Sequence, residues 1–156
     1  YNLFTPLQLS NYIATLVGGG EHYQAHLLKS VKKYDNSQLL YVYDAPPENT
    51  VEMSDSTVEA VKKGMYELTT GSLAGAFANC VVSAGAKTGS AQIGTEVANG
   101  VFVAFAPYED PEIAVAIVIE KGGAGAALAS TAVEIINSYF SSGLNGDVIG
   151  ENTLLK

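Results

Sequence analysis

The chain has 156 residues, 47% of them hydrophobic and only 15% charged, with a formal net charge of −8. A chain of this length can bury roughly 70% of its unfolded surface, enough for one domain with a substantial core. All eight basic residues are Lys and no basic stripe is available to displace phosphate counterions, so nucleic acid is excluded as a partner.

The first element predicted is a helix. Thr5-Pro6-Leu7-Gln8 places a capping Thr, a Pro at the first helical position and a Gln at the third, which together make a capping box. Leu9, Tyr12, Ile13 and Leu16 recur at helical spacing, and Gly18-Gly19-Gly20 ends the run. Residues 25–31 and 39–43 read as a short hairpin turning at Tyr34-Asp35-Asn36-Ser37, and 45–49, with two prolines, as a loop. A second helix is expected over 57–70, with Ser56 and Glu59 as its capping box and Glu59 placed to pair with Lys62 and Lys63. Val58, Val61, Met65 and Leu68 form its apolar stripe, and Gly71 supplies the stop.

From residue 80 the period changes. Residues 86–93 read as extended, and 100–106 and 113–119 are near-continuous apolar runs suited to strands covered on both faces. The five-residue link Pro107-Tyr108-Glu109-Asp110-Pro111 is short enough for an antiparallel hairpin. After residues 122–125 comes a last helix with Leu128, Ala132, Ile135, Ile136 and Tyr139 on one face, and 141–156 reads as a frayed tail. The expected fold is α/β of the α+β type, an antiparallel sheet flanked by helices.

The segment Ser83-Ala84-Gly85-Ala86-Lys87-Thr88-Gly89-Ser90-Ala91-Gln92 carries the chemistry. Lys-Thr-Gly is one signature of the penicillin-recognising serine enzymes. Its flanks extend the likeness: Thr5-Pro6-Leu7-Gln8-Leu9, YQAHLLKSV over 23–31, Val61-Lys62-Lys63-Gly64-Met65, VFVAFAP over 101–107, PEIAVAIV over 111–118, and the final amphipathic helix. In this order, over about residues 3–140, the chain resembles the C-terminal part of the transpeptidase domain of penicillin-binding proteins. The nucleophilic Ser-x-x-Lys and the Ser-x-Asn element that precede the motif in that family have no credible counterpart here. Together with a start at Tyr1 rather than Met and no visible signal peptide, this makes the chain read as a single partial domain over 1–156.

The resemblance implies a function. The parent is expected to be a peptidoglycan D,D-transpeptidase that works through a serine acyl-enzyme at the outer face of the cytoplasmic membrane. Its substrate, a stem peptide ending in D-Ala-D-Ala, or a β-lactam in its place, would lie as an added strand along the motif. Period-2 alternation puts Thr88, Ser90 and Gln92 on one face, where the Thr88 and Ser90 hydroxyls would bind the terminal carboxylate. Lys87, from the other face, would attract that carboxylate and bond the Ser of the missing element. Gly89 allows close approach, and the Ser90 backbone N–H would be one of two oxyanion-hole donors. No metal or cofactor is implied, and the isolated chain is expected to be inactive. Alternatives are a D,D-carboxypeptidase, β-lactamase or β-lactam sensor, or a non-catalytic interaction module of the same fold.

Other matches are weaker. Ser30-Val31-Lys32-Lys33 satisfies Ser-x-x-Lys formally, but Ser30 sits in a β-like stretch, not at the helix start that would face Lys to Ser. Residues 122–128 imitate a dinucleotide fingerprint, yet Leu128 occupies the third glycine place. His22 and His26 lie past a helix stop with no carboxylate pattern around them, and read as surface histidines rather than metal ligands. Cys80, alone, reads as small buried core filler. The apolar run 113–119 would leave an exposed sheet edge, which predicts dimerisation or aggregation of the isolated chain. The remainder of the transpeptidase domain is the partner expected to cover that edge.

Overall fold

The computed structural model describes residues 3–92, 94 and 97–141. Its order is α1 (Pro6–Val17), β1 (Glu21–His22), β2 (Ser30–Lys32), β3 (Leu39–Val42), β4 (Asn49–Thr50), α2 (Asp55–Thr70), α3 (Ala74–Phe77), β5 (Gly85–Ala91), β6 (Asn99–Ala106), β7 (Ile113–Ile119), a 3₁₀ turn (Gly125–Leu128) and α4 (Ala129–Ser141). The expected mixed α+β architecture is present. Of the tail expected from 141 onward, Ser141 closes α4, and 142–156 lie outside the described residues, as does Ile93 at the end of the expected extended segment.

The centre is a three-stranded antiparallel sheet in the order β5-β6-β7. Helices cover both of its faces. On one, Ala86, Phe102 and Ala104 pack with Leu128, Ala132 and Ile136 of the 3₁₀ turn and α4. On the other, Phe105 packs with Ile13 of α1 and Met65 of α2. Double coverage explains why β6 and β7 read as continuous apolar runs rather than alternating ones.

Local chemistry sets the helix ends. Thr5 accepts from the Gln8 N–H at 3.2 Å while the Gln8 side chain accepts from the Thr5 N–H at 2.9 Å, the reciprocal box expected for α1. At α2 the expectation needs correction. The helix begins at Asp55 and is capped by Ser54, whose hydroxyl accepts from the Thr57 N–H at 3.3 Å. Ser56 therefore falls inside the first turn, where its hydroxyl cannot cap. Glu59 turns instead to Lys62 at 3.3 Å, and Lys63 pairs with Glu67 rather than Glu59. The buried face is also rotated: Val61 is 40% exposed, while Lys62, Met65 and Thr69 are buried. Lys62 is tolerated there because its ammonium meets Glu59 and stands 5.4 Å from the Tyr108 ring centroid. In α4, Val133 is buried and Ile135 is 39% exposed, so that face is offset as well.

The first hairpin forms, but its leading strand is only Ser30–Lys32, with an irregularity between Val31 and Lys32. Its turn uses Asn36 at φ 56° and an Asp35 carboxylate accepting from the Ser37 N–H at 3.1 Å. Two features went unpredicted. β1 pairs with β4 where a loop was expected, and the one-turn helix α3 fills the stretch before β5.

Candidate active-site strand

Several contacts bring the chain into β5. The Thr69 hydroxyl lies 2.6 Å from the Ala84 carbonyl, which accepts its proton, and 2.8 Å from that of Tyr66. Asn137 of α4 brackets the approach, accepting from the Val81 N–H at 2.9 Å and donating to the Asn79 carbonyl at 2.9 Å. The Ser83 hydroxyl donates to Glu109 and accepts from the Tyr108 N–H at 3.0 Å. That bond holds the Glu109 carboxyl below the ordinary carboxylate range. Gly85 is required at the first position of the strand, because a Cβ there would overlap the Phe105 ring and stand 3.2 Å from Met65 Cβ.

Within β5 the register is Lys87 to Val103, Thr88 to Phe102, Gly89 to Val101 and Ser90 to Gly100. Thr88 and Ser90 therefore share the α4-side face with Ala86, as expected from period 2, and Lys87 projects from the opposite face. Thr88 is half-buried, and Lys87 and Ser90 are exposed. Gln92, assigned to the Thr88 face from the sequence, lies beyond the last residue of the strand and is exposed.

The ladder also fixes where the backbone points. The Gly89 nitrogen and oxygen and the Val101 oxygen all lie within 3 Å of one point above the β5–β6 seam. Gly89 thus bonds inward to β6, and the alternation of an antiparallel ladder turns the N–H and C=O of Thr88 and Ser90 outward. Consistent with this, the Lys87 ammonium folds back to donate to the Thr88 carbonyl at 2.6 Å. Among the described residues no strand pairs with that edge. It presents an outward Ser90 N–H, two hydroxyls and an ammonium within four consecutive residues, a donor-rich arrangement suited to a carboxylate-bearing extended peptide.

The remaining candidates separate from this edge. His22 meets Asn11 through Nε2 at 3.1 Å and lies 3.5 Å from Glu48, whereas His26 stacks on Tyr43, so the two histidines do not converge. Cys80 is half-buried, and burial pushes its thiol pKa up, as expected of core filler rather than a nucleophile. A hollow of about 490 Å³ beside α1, lined by Tyr12, Thr15, His22 and Val51 among others, contains no residue of 87–92. Ser30 lies in β2, not at a helix start.

A family model described as the penicillin binding protein transpeptidase domain matches residues 3–139. The chain belongs to this family. Penicillin-binding protein 2A of Bacillus subtilis is 34% identical over 134 residues, covering 76% of this chain and 19% of that protein. Peptidoglycan D,D-transpeptidase MrdA of Escherichia coli (strain K12) is 30% identical, covering 95% of this chain and 26% of that protein. The chain thus spans about a fifth to a quarter of the length of these penicillin-binding proteins. Among solved structures, penicillin-binding protein 2B from Streptococcus pneumoniae (strain R6) superposes with a TM-score of 0.74 at 25% identity, covering 95% of this chain and 26% of that one. Penicillin-binding protein A from M. tuberculosis, solved as an imipenem acyl-enzyme complex, gives 0.69 at 27% identity, covering 85% and 30%.

Sequence reasoning found the motif strand but missed what holds it. Thr69 and Asn137 sit on helices as ordinary polar residues, and only their distant backbone partners, Ala84 and Val81, give them a role.

Proposed function

We propose that this chain forms the substrate-carboxylate side of a D,D-transpeptidase centre, whose attacking serine comes from the remainder of the domain. The observation that carries this reading is the outward-facing Ser90 N–H at an unpaired strand edge. The stem peptide's D-Ala-D-Ala end lies along β5. Its terminal carboxylate bonds the Thr88 and Ser90 hydroxyls and is drawn in by Lys87, while Gly89 leaves room for its backbone and Gln92 flanks it. The serine oxygen bonds to the carbonyl carbon of the penultimate D-Ala, and the Ser90 N–H stabilises the oxyanion that develops. The terminal D-Ala then leaves with a proton, and an amine of a second stem peptide takes the acyl group. A β-lactam enters the same edge and stays on the serine. An acyl-enzyme reading draws support from the imipenem complex of penicillin-binding protein A. We place the working site at the outer face of the cytoplasmic membrane, where peptidoglycan is cross-linked. Among the described residues no helix is long and apolar enough to cross a membrane.

The test uses Ser90→Pro in the full-length protein. Pro removes the N–H together with the hydroxyl, so Ser90→Ala, which removes the hydroxyl alone, is the reference for its rate; because that N–H faces outward no ladder bond is lost. Acylation by a fluorescent penicillin should slow about 10²–10³-fold. A rate within threefold of the Ser90→Ala reference would sink the proposal. The chain by itself, incubated with the same drug, should keep its mass unchanged.

A further inference from the structure

We infer that Gly125 is a positioning residue for the Ser90 N–H, an inference that rests on the oxyanion-hole reading just given. The 3₁₀ turn Gly125–Leu128 lies on the α4-side face of the sheet, with Gly125 over the β5–β6 seam. A Cβ on Gly125 would overlap the carbonyl oxygens of Val101 and Gly89 and stand 2.9 Å from the Gly89 nitrogen. The turn therefore rests on bare backbone at the glycine of Lys-Thr-Gly, and Gly125 is buried there.

The contacted atom decides the consequence. The Gly89 carbonyl and the Ser90 N–H belong to one planar peptide unit. Pressure on the oxygen therefore tilts the N–H as a rigid body, with no soft torsion between them. The face is open to this approach because a side chain at position 89 projects to the opposite face, where a Cβ would meet Val101 Cβ at 3.4 Å. Gly100, also on the 3₁₀ turn's side, differs in kind: a Cβ there would stand at ordinary contact distance, 3.4 Å from Leu128 Cδ1, 3.6 Å from the Gly123 oxygen and 3.7 Å from the Gly122 carbonyl carbon. Gly125 is thus set apart by a rigid contact to the peptide that carries the donor.

The experiment compares Gly125→Ala, Gly100→Ala and Ser90→Pro in the full-length protein. Active sites are counted by penicillin titration, so that rates refer to folded molecules alone. Gly125→Ala should lower the acylation rate constant about 10–100-fold, the scale of a 1 Å misplacement, while the non-covalent Kd for the drug changes less than threefold. Gly100→Ala should leave both within about twofold, since the added methyl meets its neighbours no closer than 3.4 Å. A Gly125→Ala rate constant equal to the parent's, with Ser90→Pro impaired, overturns the positioning role and leaves the oxyanion reading standing. An unimpaired Ser90→Pro overturns both. Should Gly125→Ala not fold, Ala126→Gly, at an exposed position of the same turn, loosens it without adding an atom. It should slow acylation about threefold through a less fixed donor, and an unchanged rate constant would overturn the inference.

Discussion

In the β5–β7 sheet and its covering helices, Phe102, Ala104, Phe105 and Ile136 are fully buried, whereas in the β2–β3 hairpin Leu39, Leu40, Tyr41 and Val42 are 49, 55, 47 and 48% exposed. Both regions are apolar and both are built on strands. The sheet lies between two layers of helix, while the hairpin is held by its turn: the Lys33 N–H bonds the Gln38 carbonyl at 2.9 Å and the Asn36 N–H bonds the Lys33 carbonyl at 2.9 Å. Strand-forming residues thus give a hairpin wherever the turn chemistry is right, but they stabilise a core only where a second surface covers them.

The largest expected effect separates the regions directly. Phe102→Ala should destabilise the chain by about 3–5 kcal/mol through lost burial and the cavity left behind. Leu40→Ala should stay within about 0.5 kcal/mol, as a surface change. Equal effects in denaturant titration would break the comparison. Next is the outer edge of β7, which among the described residues carries no partner strand and ends in an exposed Ile119. It should drive self-association of the isolated chain, and light scattering showing a monomer at high concentration would remove that idea. Thr69→Val sharpens the contrast on the buried side. It strands the Ala84 carbonyl without its donor and should cost about 1–3 kcal/mol by thermal unfolding. The smallest effect concerns Glu109. Its pKa is lowered in the fold by the Ser83 hydroxyl, so its contribution is present above the unfolded value and lost as pH falls through the lowered folded one. Ser83→Ala should raise the Glu109 pKa in an NMR titration and flatten the acid side of the stability profile; an unmoved pKa would show that the bond is not its cause.

What could be read from the sequence was local. The α1 capping box lies within four residues, the Gly71 stop sits beside its helix, and the apolar runs of β6 and β7 announce their own double coverage. The Lys87–Ser90 motif was equally legible, because alternation alone assigns its faces. Illegible features depend on residues far along the chain. Lys62 and Thr69 replace Val61 on the buried face of α2 because Tyr108 and Ala84 receive them. β1 and β4, two residues each, give too short a pattern to register, and α3 is a single turn. Ser54 took the cap from Ser56 because two serines competed for one helix start.

Asn137 bears on the order in which the molecule can be made. Its side chain grips the Asn79–Val81 stretch across 56 residues to Val81, and the turn resting on Gly89 lies on the same late segment. During synthesis β5 leaves the ribosome well before Asn137 and the 3₁₀ turn, two of the groups that seat it. Until α4 emerges, the motif strand has β6 to pair with and Thr69 at its approach, but neither the Asn137 clamp nor the turn over its glycine. Closing so long a loop is slow compared with forming a helix. Among the described residues, the outer edge of β5 should accordingly be one of the last parts to acquire its final geometry, and a chain cut short before α4 would form the Lys-Thr-Gly strand without the late contacts that seat it.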